Sequence, residues 1–183
     1  MRILITGSRG MLAQDLIPVL KEDHEVLQFS EYEMDITDKD VVFRITKSIV
    51  PDLIINCAAY TLVDKAEAAE ERDKVFMVNG VGVQNLAVAC SDVGIPLCHI
   101  STDYVFDGRK DMPYTPFHTP NPLNVYGESK LAGEKYVQWI SNKFYIVRTS
   151  GLYGRGGSNF VFTILKLAKE QSRVKVVTDQ IGS

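Results

Sequence analysis

Arg2-Ile3-Leu4-Ile5-Thr6-Gly7-Ser8-Arg9-Gly10-Met11-Leu12-Ala13 decides the fold. Residues 2–6 make a short apolar run rich in β-branched side chains, the pattern of a buried strand. Glycines follow at once, and from Met11 to Lys21 the apolar positions Leu12, Leu16, Val19 and Leu20 recur at helical spacing. Gly7 permits a tight turn, Gly10 lets backbone approach a pyrophosphate, and the small Ala13 lets helix pack close to strand. The helix N-terminus then offers unpaired amides and a positive dipole end to phosphates. Between a strand and a helix, this turn reads as a dinucleotide site; elsewhere the same glycines would be only a turn. Pro18 falls inside the helical pattern and predicts a kink or an early end there.

Working outward, the chain alternates strand and helix patterns, the signature of an α/β fold with a doubly wound parallel sheet. Glu25 to Phe29 reads as a second strand, and Thr37 or Asp38 as the cap of a helix running to Lys47. Pro51-Asp52 stops that helix, and residues 53–57 form a third strand. Ala58-Ala59-Tyr60 lies at its C-terminal end, where ligands sit in open sheets. Those small side chains leave room for a cofactor's ribose and pyrophosphate, although an alanine pair also suits plain packing. Asp64 to Glu71 reads as a charged helix, its face solvated, and Lys74 to Ser91 as a longer one ended by Gly94. An apolar run then leads to Ser101, Thr102 and Asp103. Helices from Tyr126 to about Trp139 and from Asn159 to Lys169 flank a strand at 144–148 and a loop with Gly151, Gly154, Gly156 and Gly157. Val174 to Val177 reads as a last strand, for six or seven in all, within a single domain over 1–183.

Composition narrows the function. A net charge of −3 on 183 residues gives no electrostatic case for nucleic acid or a membrane surface. No apolar run approaches a membrane span, and the chain enters a strand directly, without signal-peptide architecture. Cys57, Cys90 and Cys98 sit in apolar contexts without metal-like spacing and read as reduced core residues of a cytoplasmic protein. His99, inside a buried strand, reads as a core histidine, and His24 and His118 as surface-loop residues.

A second stretch carries chemistry. Tyr126 and Lys130 are four residues apart and share one helix face, so hydroxyl and ammonium fit one small volume. An ammonium there would lower the phenol's pKa, which suits a proton donor to a carbonyl. Thr102, at a strand's C-terminal end, can bond the same oxygen. Alone, such a pair is far more often an ordinary surface pair; the glycine turn upstream supplies the cofactor site that the catalytic reading needs.

Four segments together, Gly7 to Ala13, Asn56 to Ala59, Ser101 to Gly108 and Tyr126 to Lys130, resemble an extended short-chain dehydrogenase/reductase. Within that superfamily the chain is most similar to the dTDP-4-dehydrorhamnose reductase family, through Tyr60 to Glu67, Pro122 to Tyr126, Leu131 to Lys135, Arg148-Thr149-Ser150 and Asp179-Gln180. These motifs run from residue 3 to 182. The resemblance implies an NAD(P)-binding Rossmann fold and hydride transfer from NAD(P)H to the C4 carbonyl of a dTDP-linked 4-keto-6-deoxysugar. Tyr126 would protonate the nascent alkoxide, Lys130 would hold the nicotinamide ribose, and Thr102 would bond the carbonyl oxygen. It implies a cofactor site of Gly7, Arg9, Gly10, Met11, Leu12, Ser30, Asp35, Ile36, Ala58, Ala59, Tyr60, Asn79, Tyr126 and Lys130. Val63, Asp64, Thr102, Asp103, Tyr104, Phe106 and Tyr153 would meet the sugar nucleotide. Arg9 and Ser30 suit a 2′-phosphate, so the reading leans to NADPH with NADH possible, while Arg9 is as readily a solvated loop arginine. No metal is implied, and a homodimer stays open.

Two departures matter. Gly151 stands where that family usually carries a Trp against the sugar, which leaves the sugar's identity open. The substrate-lid region beyond Asp179-Gln180 is absent, so the sequence reads as a fragment of a longer reductase. Two other activities compete: a catalytically silent NADP-binding module, like the regulatory subunit of methionine adenosyltransferase, and a nucleotide-sugar epimerase or dehydratase. Thr102, Tyr126 and Lys130 together favour the reductase.

Overall fold

The computed structural model describes residues 1–157 and 159–176. Five parallel strands form one sheet in the order β2-β1-β3-β4-β5: β1 Arg2–Thr6, β2 Glu25–Phe29, β3 Leu53–Asn56, β4 Leu97–Thr102 and β5 Phe144–Thr149. The registers pair Thr6 with Phe29 and with Asn56, Asn56 with His99, and Thr102 with Thr149. All five strands therefore deliver their C-terminal ends to one edge. The order reverses between β1 and β3, the switch point where open α/β sheets bind ligands.

Alternating side chains serve two cores. Leu4, Ile54 and Leu97 face one side, against helices α2 (Lys39–Ile49), α4 (Val83–Val93) and α5 (Val125–Ile140) through Val42, Leu86 and Val137. Ile3, Ile5 and Ile55 face the other, against Ala13 and Ile17 of α1 (Met11–Leu20). Covering the sheet on both faces is what makes it doubly wound, as the alternating pattern required.

The helix ends follow local chemistry. The side chains of Asp38, Asn124 and Asn159 accept backbone N–H bonds that start α2, α5 and α6 (Phe160–Glu170). Glu67, expected on a solvated face, also accepts the Val125 N–H at 2.7 Å. Helix α2 ends with Val50 in the left-handed region (φ 44°) ahead of Pro51. Pro18 does not end α1, which continues to Leu20 because Ala13 and Ile17 hold that turn in the core.

Three expectations change. Asp64 to Glu71 is not one helix: a 3₁₀ turn at Lys65–Glu67 precedes an extended Ala68, and α3 begins at Ala69. The expected break between Glu71 and Lys74 is absent, since α3 (Ala69–Phe76) runs into a π-helical turn, Met77–Gly82, and on into α4. Residues 174–176 are not in a strand, and the described sheet has five strands rather than six or seven. Strand β5 pairs only with β4 among the described residues and forms the edge of the described sheet. Val177 and Asp179-Gln180 lie outside the described residues.

Candidate active site

The glycine turn is built by contact with the neighbouring strand end. Gly7 adopts φ +63°, and a Cβ there would lie 2.6 Å from the Ala58 amide nitrogen, so only glycine fits. Gly10 donates its N–H to the Gly7 carbonyl at 2.9 Å, and Ser8 donates to Phe29 at 3.1 Å, tying the turn to β2. Helix α1 starts at Met11 and Leu12 with no side-chain cap and no acidic residue in its first turn. Its leading amides therefore keep their donors for a ligand, an arrangement that fits a pyrophosphate. Across from it, Asn159 reaches Met11 Sδ at 3.7 Å, and the Arg155 N–H donates to Asp15 at 3.0 Å, laying the glycine-rich loop after β5 along α1.

At the end of β2, Ser30 is buried and already committed. Its N–H and hydroxyl both donate to the Glu33 carboxylate, at 2.9 and 2.7 Å, and these bonds hold Glu33 below the usual carboxylate range. The Arg9 guanidinium sits 5.1 Å over the Tyr32 ring. Glu33 and Tyr32 were not singled out in the sequence, where their only signal is position just past β2. Asp35 Oδ1 accepts from the Thr37 N–H and hydroxyl, and the buried Ile36 fills the space left by the missing Cβ of Gly82.

Asn79, in the π turn, clamps three segments. Its Oδ1 accepts from the Tyr60 N–H at 2.9 Å, while its Nδ2 donates to the Tyr60 carbonyl and to Ser129 Oγ. The Tyr60 phenol donates to Glu71 at 3.0 Å. This clamp fixes the loop carrying Ala58, Ala59 and Tyr60 against α5, beside the half-buried Val63 and the exposed Asp64.

The proton-handling groups meet at the end of β4. Thr102 is buried, donates to Asp103 at 3.0 Å and accepts the Tyr104 N–H at 3.2 Å. Burial pushes the pKa of the Tyr126 phenol up; the neighbouring Thr102 hydroxyl partly offsets the rise, and Asp103 and Tyr104 add to it. Tyr104 packs edge-on to Tyr126 at 5.6 Å. Lys130 is buried one turn further along α5, and its Nζ donates to the Ile100 carbonyl at 2.6 Å and lies 3.4 Å from His99 Nε2. Burial pulls its pKa down to about 8 against the opposing pull of Glu134. Spacing thus brings Tyr126 and Lys130 to one face as expected, but Lys130 turns toward β4 here, and the phenol's pKa moves up rather than down.

Two other expected pocket residues have partners or exposure of their own. Phe106 stacks on Tyr114 at 4.3 Å with the Arg148 guanidinium over its ring, and Tyr153 is exposed. Asp107 pins the loop between them, accepting from Tyr114, Asn121 and Arg109; these bonds hold its carboxyl down at about 2. A buried network missed by sequence reasoning anchors β4: Ser101 and Arg148 both bond the buried Glu134. No helix among the described residues is long and apolar enough to cross a membrane.

The family described as RmlD substrate binding domain matches the chain over residues 1–183. The chain is 46% identical to the dTDP-4-dehydrorhamnose reductase of Aggregatibacter actinomycetemcomitans, over 99% of this chain and 62% of the relative. Its fold matches the crystal structure of dTDP-4-dehydrorhamnose reductase from Bacillus anthracis str. Ames in complex with NADP, with a TM-score of 0.89 and 46% identity, covering 93% of this chain and 60% of that one. A dTDP-4-dehydrorhamnose reductase from Clostridium acetobutylicum ATCC 824 superposes with a TM-score of 0.94 at 44% identity, over 98% and 64%. The chain spans about three fifths of the length of these relatives.

Proposed function

The chain belongs to the RmlD substrate binding domain family, and from that premise we propose that it carries the cofactor-binding and proton-donating part of an NAD(P)H-dependent reductase. Its substrate would be the 4-keto group of a dTDP-linked 4-keto-6-deoxysugar, as the names of its relatives suggest. The observation that carries the reading is the nearness of Thr102 and Tyr126 at the C-terminal end of β4, on the same sheet edge as the Gly7 turn and the α1 N-terminus.

Bound at that turn, NADPH (or NADH) would supply the hydride. The protein supplies the rest. The uncapped α1 amides and the Gly7–Gly10 turn would hold the pyrophosphate, and Lys130 would reach the ribose on releasing the Ile100 carbonyl. Thr102 donates to the carbonyl oxygen. Tyr126 would give that oxygen its phenolic proton as negative charge develops, the one Thr102 hydroxyl proton having turned from Asp103 to the same oxygen. A phenol whose pKa is raised keeps its proton through the physiological range, so the acid form is the one present when the carbonyl arrives. A cytoplasmic setting and a homodimer belong to the same proposal.

The test is substrate-dependent oxidation of NADPH and NADH with dTDP-4-dehydrorhamnose. Tyr126→Phe should lower kcat by roughly 10²–10⁴ with cofactor affinity little changed. Cofactor binding without any turnover in the parent chain would leave two readings, an incomplete fragment or the silent binding module, which adding back the remaining part of a full-length relative separates.

A further inference from the structure

The turn after β2 gathers its donors on one of the chain's own carboxylates. The Ser8 N–H donates to the Phe29 carbonyl, which seats the end of β2 beside the Gly7 turn, and Ser30 follows directly. The end of the second strand is where dinucleotide folds meet the adenosine ribose. Both Ser30 donors, the N–H at 2.9 Å and the hydroxyl at 2.7 Å, converge on one oxygen, Glu33 Oε2. Those bonds hold the Glu33 carboxyl below the usual carboxylate range, and the Arg9 guanidinium adds a smaller pull from the glycine turn. Two donors and a guanidinium around one anionic oxygen are what a phosphate oxygen needs. Here the exposed Glu33 fills that position. The turn does not depend on it: the Glu33 and Met34 N–H groups both donate to the Ser30 carbonyl, at 3.1 and 2.9 Å, and Met34 is buried in the core.

We propose that Glu33 is a specificity-determining residue, whose carboxylate competes with the 2′-phosphate of NADPH for Ser30 and Arg9 and so lowers the selectivity for NADPH over NADH. The inference deepens the dinucleotide reading of the Gly7 turn and rests on it. Ser30 can serve a 2′-phosphate only when Glu33 has left its two donors. A phosphate monoester carries about −1.5 to −2 charges at neutral pH. It must therefore displace the carboxylate, and the displaced Glu33, tethered in the same turn, then repels it. NADH carries a hydroxyl in place of that phosphate and meets neither cost. Glu31 is as exposed and as charged, but both Ser30 donors go to Glu33, so Glu31 contributes charge alone.

The test is the ratio of NADPH to NADH dissociation constants, measured by nicotinamide fluorescence in the parent chain, Glu33→Ala, Glu33→Gln and Glu31→Gln. In Glu33→Ala, which frees the Ser30 donors and removes the charge, NADPH should bind about tenfold tighter. NADH should shift by less than about threefold, as should both coenzymes in Glu31→Gln. Glu33→Gln keeps an oxygen for Ser30 but loses the charge, so its gain for NADPH should be smaller than that of Glu33→Ala. That gain should also shrink as salt is raised, because it is coulombic between exposed groups. A variant that merely loosened the turn would weaken both coenzymes and leave their ratio unmoved. An unmoved ratio in both Glu33 variants, or an equal gain in Glu31→Gln, overturns the proposal while the dinucleotide reading stands. A parent chain that binds neither coenzyme overturns both.

Discussion

Strands β1, β3 and β4 and the last described strand-helix pair, β5 and α6, are all apolar in sequence and have opposite fates. Leu4, Ile5, Ile54 and Leu97 are completely covered, and α4 buries Leu86, Ala87 and Cys90. Strand β5 leaves Tyr145 63% exposed, and α6 buries none of its residues, with Phe160 64% exposed. Apolar periodicity therefore reports which face an element would bury, while the partner layer decides whether it does. Thr102 and Lys130 lie in the covered region, where elements cannot shift without opening cavities.

Substitutions should separate the two regions sharply. Leu86→Ala, in the covered region, should cost about 3 kcal/mol of unfolding free energy in urea. Lys130→Met probes the same region through pH. Lysine's ordinary value is 10.5 and the folded value is about 8, so between these limits the unfolded chain binds the extra proton. Stability attributable to Lys130 is thus greatest above 10.5 and falls as pH drops toward 8. The parent should accordingly gain on Lys130→Met as pH rises from 8 to 10.5, by roughly 3 kcal/mol in total. A flat difference across that range would mean that Lys130 is not held in a desolvating site. Phe160→Ala should change stability by less than about 0.5 kcal/mol. A cost there like that of Leu86→Ala would erase the contrast between the regions.

Much of this was legible from residues 2–13 outward. Strands β1 to β4 and their helices stand out because apolar runs of strand length end in Gly, Pro or Asn/Asp punctuation. The π turn at 77–82 was not legible, since it depends on distant partners: Ile36 fills the space above Gly82, and Gly133 packs on the Asn79 carbonyl. In the site, the four-residue spacing put Tyr126 and Lys130 on one face, but spacing cannot say which way a long side chain turns. The Ile100 carbonyl and His99 decide that for Lys130, and both belong to another element. Ser30 was legible as a strand-end hydroxyl, whereas its bonds to Glu33 arise from the turn that follows. His99 was expected in the core and is there; its bond to Asn56 follows from the β3–β4 register.

The measurement that bears most directly on the central claim is a nicotinamide-fluorescence titration of NADPH and NADH into the parent chain and into Gly7→Val. The account predicts saturable binding in the parent. It predicts that binding is lost in the variant while far-UV circular dichroism shows the sheet and helices retained, because the added side chain meets Ala58 in the turn that holds the pyrophosphate. No binding by the parent, or equal binding by a folded Gly7→Val, would contradict it.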